Sequence, residues 1–369
     1  MTKVQPWAWV VLTASFSSMF FNSSFFAVGV IHVALLEKYP DVEVSTIAWI
    51  GSVFSCMFAL SGFLGSFIIN ISNVRTCVML SGLLALVGFA TSSIVTDHRI
   101  LFITYGIIAG IGPAMSMAGS LVVIGYYFGP KTSMATGIAT SGCALCTFIF
   151  PPLTQYCVDT YGLGGAFLIL GGLGFQSAVC GALMRPTKYE IRSKKKSKCC
   201  TSTSQPKIFA CFLKRNVILF TSPSFWLLLI CSFSFHVALS CVYLYLPDYL
   251  NHQGSSHQEA AIVLSITGVT GILSRILLGF LASNVDASLV LGSTLGIMGI
   301  ITFFIKYMKT IGSKITYTTL LGFYTGGSWA LQYTLLVEIV GLYQQSTAYG
   351  VMMHISGIGY MVGPPFAGK

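Results

Sequence analysis

Eleven apolar runs occupy most of this chain, at about 7–36, 46–71, 76–95, 100–125, 133–157, 163–184, 222–247, 259–283, 288–305, 315–339 and 347–367. About 20 apolar residues let a helix cross the hydrocarbon of a bilayer. The runs are continuous rather than alternating, which points to helices and against a β-barrel. Charged residues make up only 8% of the chain, against roughly 25% in soluble domains. A soluble globule is thereby excluded. The run from Trp7 is too long for a cleaved signal and has no clear small-residue cleavage site near its end, so it reads as a first span.

The chain repeats itself. Ser133, Ala135 and Gly137 return as Ser346, Ala348 and Gly350, and Pro151–Pro152 returns as Pro364–Pro365, each displaced by 213 residues. The repeated unit is an apolar segment that opens on small residues and closes on a double proline. Two similar halves running in the same direction are the plan of a parallel-repeat transporter. The first half continues past its prolines for another span, whereas the second reaches Lys369 just after its own. The repeat therefore anticipates a twelfth helix that this sequence does not contain.

Lysine and arginine orient the bundle. Arg185, Lys188, Arg192, Lys194, Lys195, Lys196, Lys198, Lys207, Lys214 and Arg215 all fall between the sixth and seventh spans. The positive-inside rule makes that loop cytoplasmic, together with the N-terminus. Glu37, Asp41 and Glu43 of the first loop fit the outside; Lys306, Lys309 and Lys314 then lie outside against the rule. Residues 1–184 read as a six-helix half, 185–221 as a basic linker and 222–369 as a five-helix half. The net charge of +10 reports topology, and no motif beside the loop points to nucleic acid. The eleven cysteines show no metal-like or paired spacing; Cys199–Cys200 in the loop is a weak palmitoylation candidate.

Arg275 stands in the middle of an apolar run. A charge at that depth is costly and usually faces a cavity or a partner. Its planar guanidinium matches a carboxylate, which makes it the first candidate for binding an organic anion; a structural ion pair, with Glu338 as partner, is the competing reading. His32, His236 and His354 each sit in a span, and each is more often a packing residue than a proton carrier. Asn22 and Gln332 are polar within spans and are candidate cavity residues. The glycines of the fourth span, such as Gly106 and Gly110, read as helix-packing positions. No phosphate loop, paired carboxylates or metal-ligand set occurs, so neither an ATP-driven pump nor an enzyme is expected, and no cofactor or metal.

The segment Tyr127-Phe128-Gly129-Pro130-Lys131-Thr132-Ser133-Met134-Ala135-Thr136-Gly137-Ile138-Ala139-Thr140-Ser141-Gly142 resembles the signature of the monocarboxylate transporters within the major facilitator superfamily. That signature reads Tyr-Phe-x-Lys-Arg-Arg, then Leu-Ala-x-Gly-aliphatic-Ala-x-Ala-Gly. Gly181-Ala182-Leu183-Met184-Arg185-Pro186, Gly363-Pro364-Pro365-Phe366-Ala367-Gly368 and Trp7-Ala8-Trp9 are similar to further family segments. Arg275 falls where the family has an eighth-helix arginine. The resemblance implies an all-α, two-half helical bundle of twelve helices, eleven of them in this sequence. It implies a plasma-membrane carrier of short monocarboxylates by alternating access, proton-linked in some members and not in others. Substrate would be held by Arg275, Asn22, Phe26, His32 and Gln332, with Tyr127, Phe128, Lys131, Gly137 and Gly142 as signature or gating positions. Some members need a single-span immunoglobulin-type glycoprotein to reach the surface.

Departures from the pattern qualify that expectation. Val4, Gln5 and Pro6 replace the acidic–glycine start of the first motif. The family's first-helix lysine aligns near Phe26 or Ala27, and the aspartate one turn before the arginine is Gly271. Pro130 and Thr132 replace two basic signature residues. The lysine and aspartate form the family's proton relay, so a relay built on them is absent, and His32 is the nearest substitute. A proton-independent carrier of an aromatic or zwitterionic solute, or a non-transporting regulatory relative, stand as alternatives to a lactate- or pyruvate-type carrier.

Overall fold

A computed structural model describes residues 6–22, 24–187, 190–191, 222–252, 257–305, 308 and 310–367. The described residues form α1 (Pro6–Phe21), α2 (Val28–Lys38), α3 (Val44–Ile71), α4 (Val74–Ile94), α5 (His98–Leu101), α6 (Gly110–Phe128), α7 (Thr132–Leu183), α8 (Pro223–His252), α9 (His257–Leu281), α10 (Ala287–Phe303), α11 (Ile311–Val340) and α12 (Gln345–Ala367). A 3-10 turn, Ser24–Ala27, joins α1 to α2, and a π-helical stretch, Phe102–Ala109, joins α5 to α6. Most of the linker, 192–221 with Cys199 and Cys200, lies outside the described residues, as do Lys306 and Lys309.

Each apolar run becomes one passage, with two adjustments. The expected single helix over 7–36 is broken: α1 ends at Phe21 and helix resumes at Val28. The break falls where Asn22 and Ser24, weak helix formers, interrupt the apolar run. Conversely, α7 contains two passages. They meet at Gly162 (φ 69°, ψ 173°), a conformation that ends one helix and starts the next.

The outer surface is apolar. Ile94, Leu227 and Phe303 are 82%, 68% and 74% exposed. In water such surface is a liability; in lipid it is the expected exterior, and helices are then held by close packing rather than by hydrophobic exclusion. Small residues do that here. A Cβ on Gly88 would stand inside the radius of the Ala109 backbone nitrogen, and one on Gly82 2.6 Å from that of Ala178. One apolar core runs through both halves, joining Val122 and Ala135 to Leu336, Ala348 and Met352.

Candidate functional site

The halves meet along two crossings that repeat one another. In one, α7 lies against α9: Ser133 Oγ donates to the Gly279 carbonyl at 2.8 Å. A Cβ on Gly137 would stand inside the radius of the Arg275 carbonyl oxygen and 3.2 Å from Gly279 Cα. In the other, α12 lies against α3: Ser346 Oγ is 3.4 Å from the Ser66 carbonyl, and Ser66 Oγ donates to the Ser346 carbonyl at 2.6 Å. A Cβ on Gly350 would stand 2.6 Å from Ser66 Cβ and 3.4 Å from the Gly62 carbonyl. The displacement of 213 residues that carries Gly137 to Gly350 also carries Gly62 to Arg275 and Ser66 to Gly279. The repeat read from α7 and α12 thus extends to their partners, where residue identities hide it.

Further links seal the same face. Gln345, fully buried, donates to the Val122 carbonyl at 2.9 Å and accepts from the Tyr333 hydroxyl at 3.1 Å. Asn70 Nδ2 donates to Thr347 Oγ1 at 3.0 Å, and Thr136 and Thr334 hydroxyls are 3.3 Å apart. At 1.5 Å per residue these links lie within about 14 Å of the helix ends on the linker side.

Arg275 belongs to this seam. It is 9% exposed, and its guanidinium donates from α9 to the backbone carbonyl of Thr140 in α7, in the other half. Glu338, weighed as its partner, lies close enough to Asp286 for the two carboxylates to repel.

The other candidates are spread around the bundle. Asn22, 2% exposed, donates to Ser81 Oγ at 3.3 Å and Ser177 Oγ at 3.4 Å, so its amide faces α4 and the second passage of α7 within its own half. Phe26 falls in the Ser24–Ala27 turn, and its side chain lies outside the described ones. His32 is half-buried on α2. Gln332 is buried in α11 and accepts from Ser232 Oγ at 3.0 Å. His354 is exposed beside Phe63.

The signature residues divide between two places. Tyr127 donates to the Arg185 carbonyl at 3.0 Å, and Phe128 meets Trp9 edge-on at 6.0 Å. Trp7 Nε1 donates to the Leu183 carbonyl at 3.3 Å while the Arg185 guanidinium covers the indole at 3.9 Å. Glu190 accepts from the Val74 backbone N–H at 2.9 Å, capping α4. Three segments distant in sequence therefore clasp at the base of the first half, where the linker begins. Gly137 lies at the seam, Gly142 packs on the Phe16 carbonyl of α1, and Lys131 is exposed. Ser66, Asn70, Gln345 and Tyr333 were not singled out from sequence; extending the repeat to α3 and α9 would have flagged Ser66. A groove of about 520 Å³ between α9, α10 and α11 is mostly apolar, lined by Leu277, Phe280 and Leu281 on the lipid side of α9, and has no cationic side chain in its lining.

Comparison with known proteins bears on this architecture. Residues 10–367 match the family model described as Major Facilitator Superfamily. Monocarboxylate transporter 12 of Homo sapiens is 28% identical over 98% of this chain and 75% of its own length. Monocarboxylate transporter 2 of Mus musculus is 27% identical over 98% and 78%. Among solved structures, the proton:xylose symporter XylE superposes with a TM-score of 0.78 at 12% identity, covering 99% of this chain and 89% of that one. The E. coli fucose:proton symporter FucP gives 0.75 at 13%, covering 97% and 90%. With the two-half seam and the repeat behind it, the match across nearly the whole chain shows that this protein belongs to the Major Facilitator Superfamily.

Proposed function

We propose that this chain carries small monocarboxylates across the plasma membrane by alternating access, with Arg275 as the carboxylate anchor. The observation that carries this reading is the buried guanidinium spanning the seam to a neutral carbonyl of the other half. A carboxylate pairs with a guanidinium through two parallel hydrogen bonds between opposite charges, which a neutral backbone carbonyl cannot offer. An arriving anion would displace the Thr140 carbonyl and remove one tie between the halves, so binding would favour their separation. That is differential affinity for the two states, which any ligand-driven transition requires. The relatives named for monocarboxylates support the substrate class. Residues 185–221 and the N-terminus are assigned to the cytoplasm, and a single-span immunoglobulin-type partner is proposed for surface delivery.

The test is uptake of labelled lactate, pyruvate, a ketone body and an aromatic amino acid, with and without an inward proton gradient, normalised to surface protein. Arg275→Gln should lower monocarboxylate uptake by about tenfold or more, the value of a lost charged hydrogen bond. Unchanged uptake in that variant rejects the anchor. Gradient-independent uptake places the protein among facilitative carriers, and His32→Ala with unaltered pH dependence removes His32 as a proton carrier. No flux from protein at the surface replaces the carrier reading with a regulatory one.

A further inference from the structure

The C-terminal half contains a second polar cluster deep in the bundle. Ser232 and His236 of α8, Gln332 of α11 and Ser356 of α12 are all buried, His236 and Ser232 completely. His236 Nδ1 lies 2.6 Å from the Ser232 carbonyl oxygen. A carbonyl only accepts, so Nδ1 carries the proton and Nε2 presents a lone pair. That Nε2 has no hydrogen-bond partner among the described residues. Gln332 is in the complementary position: its Oε1 accepts from Ser232, and its amino nitrogen has no partner among the described residues. Ser232 Oγ also lies 2.9 Å from Ser356 Oγ, which donates to the Met352 carbonyl at 2.8 Å. The serine protons are thus committed within the network. One buried acceptor and one buried donor, both tied to Ser232, remain open. What sets this pair apart is that an acceptor and a donor lie open around one shared partner, Ser232.

Aromatic rings wall the cluster. Trp329 stands perpendicular to the imidazole at 4.8 Å, and Tyr360 and Phe235 lie at 5.1 Å. Trp329 is half-buried, and His236 beside it is fully buried. Counted from the linker-side helix ends at 1.5 Å per residue, His236 lies about 20 Å deep, Gln332 about 12 Å and Arg275 about 9 Å.

We propose that His236 and Gln332 form a subsite for a small neutral group that both donates and accepts a hydrogen bond, a hydroxyl or a carboxamide, within a carried solute. Nε2 takes the proton of that group and the Gln332 amino group bonds its oxygen. The aromatic walls offer a second anionic group no counter-ion. The subsite deepens the reading of Arg275 as anchor, because the carboxylate of the same solute would sit there.

The experiment measures apparent affinities of butyrate, 4-hydroxybutyrate and butyramide by ligand-dependent thermal shift of the full chain in nanodiscs. In the wild type, 4-hydroxybutyrate should bind about tenfold tighter than butyrate, the worth of one added buried hydrogen bond. His236→Phe and Gln332→Leu should bring that ratio to about one, and Ser232→Ala, a milder change, should lower it partway. Unfolding temperatures without ligand verify that the variants fold. A ratio near one in the wild type means the cluster holds only water and overturns the subsite, as does a preference that survives both variants. The butyramide arm separates the two readings. Its binding should require His236 and Gln332 but not Arg275, so butyrate binding indifferent to Arg275→Gln would reject the anchor while butyramide still decides the subsite.

Discussion

Gly137 shows how much one missing methyl group decides. Its Cα faces the backbone of Arg275 and Gly279, so an added Cβ meets main chain, which cannot rotate away. Gly137→Ala must push α7 and α9 apart and so opposes closure of the linker-side face. Its expected signature is several-fold faster alkylation of a cysteine placed at Thr334, which is 4% exposed beside Thr136 at the sealed seam. Gly172 in the same α7 has nothing within 4 Å of its Cβ position, so Gly172→Ala should leave that rate unchanged. An unchanged rate in Gly137→Ala would mean the crossing tolerates separation without opening. At this scale the sequence was partly legible. Arg275 was conspicuous as a lone central charge. His236 was not, because three histidines in three apolar spans carry the same local signal. Only the neighbours on α11 and α12 distinguish it from His32 and His354, and no window along one helix contains them.

Hydropathy located the elements, because a passage through lipid demands length and apolarity and little else. It did not locate their breaks, which are set by hydrogen bonding and backbone conformation. The interruption after Phe21 leaves the average apolarity of 7–36 intact, and Pro151–Pro152 stays within a continuous helical run although neither residue has an N–H to give. Gly162 is where conformation can be isolated. Its φ of 69° with ψ of 173° lies in a region that is essentially glycine-only, and nothing within 4 Å would touch an added Cβ. Gly162→Ala should therefore cost about 1–3 kcal/mol through backbone strain alone. Gly172→Ala, at an open helical position, should be neutral or stabilising by up to about 1 kcal/mol. Equilibrium unfolding in mixed micelles compares the two. Equal stabilities would show that the passage can turn by another route.

In the whole molecule, the seam is built twice by one displacement of 213 residues, so the halves approach as pseudo-symmetric bodies. Its links occupy about 14 Å of each crossing helix, roughly half of a 30 Å hydrocarbon layer. Rocking of one half against the other must break those links together. Ser66 and Ser346, one from each half, have hydroxyl oxygens 3.4 Å apart, close enough for paired cysteines to oxidise. The Ser66→Cys/Ser346→Cys pair should hold this face shut. Monocarboxylate uptake should fall below about a tenth on oxidation and recover with reductant, as expected when alternating access is rigid-body rocking. Ser18 and Ser116 form the matching control, their oxygens 2.7 Å apart but both within the first half. Oxidising Ser18→Cys/Ser116→Cys should leave uptake intact, because a body that moves as a unit is indifferent to an internal tie. Block by both pairs would show that the first half deforms during transport. Block by neither would show that the seam between α3 and α12 stays closed throughout, leaving the crossing of α7 with α9, where Arg275 sits, as the only one of the two that opens.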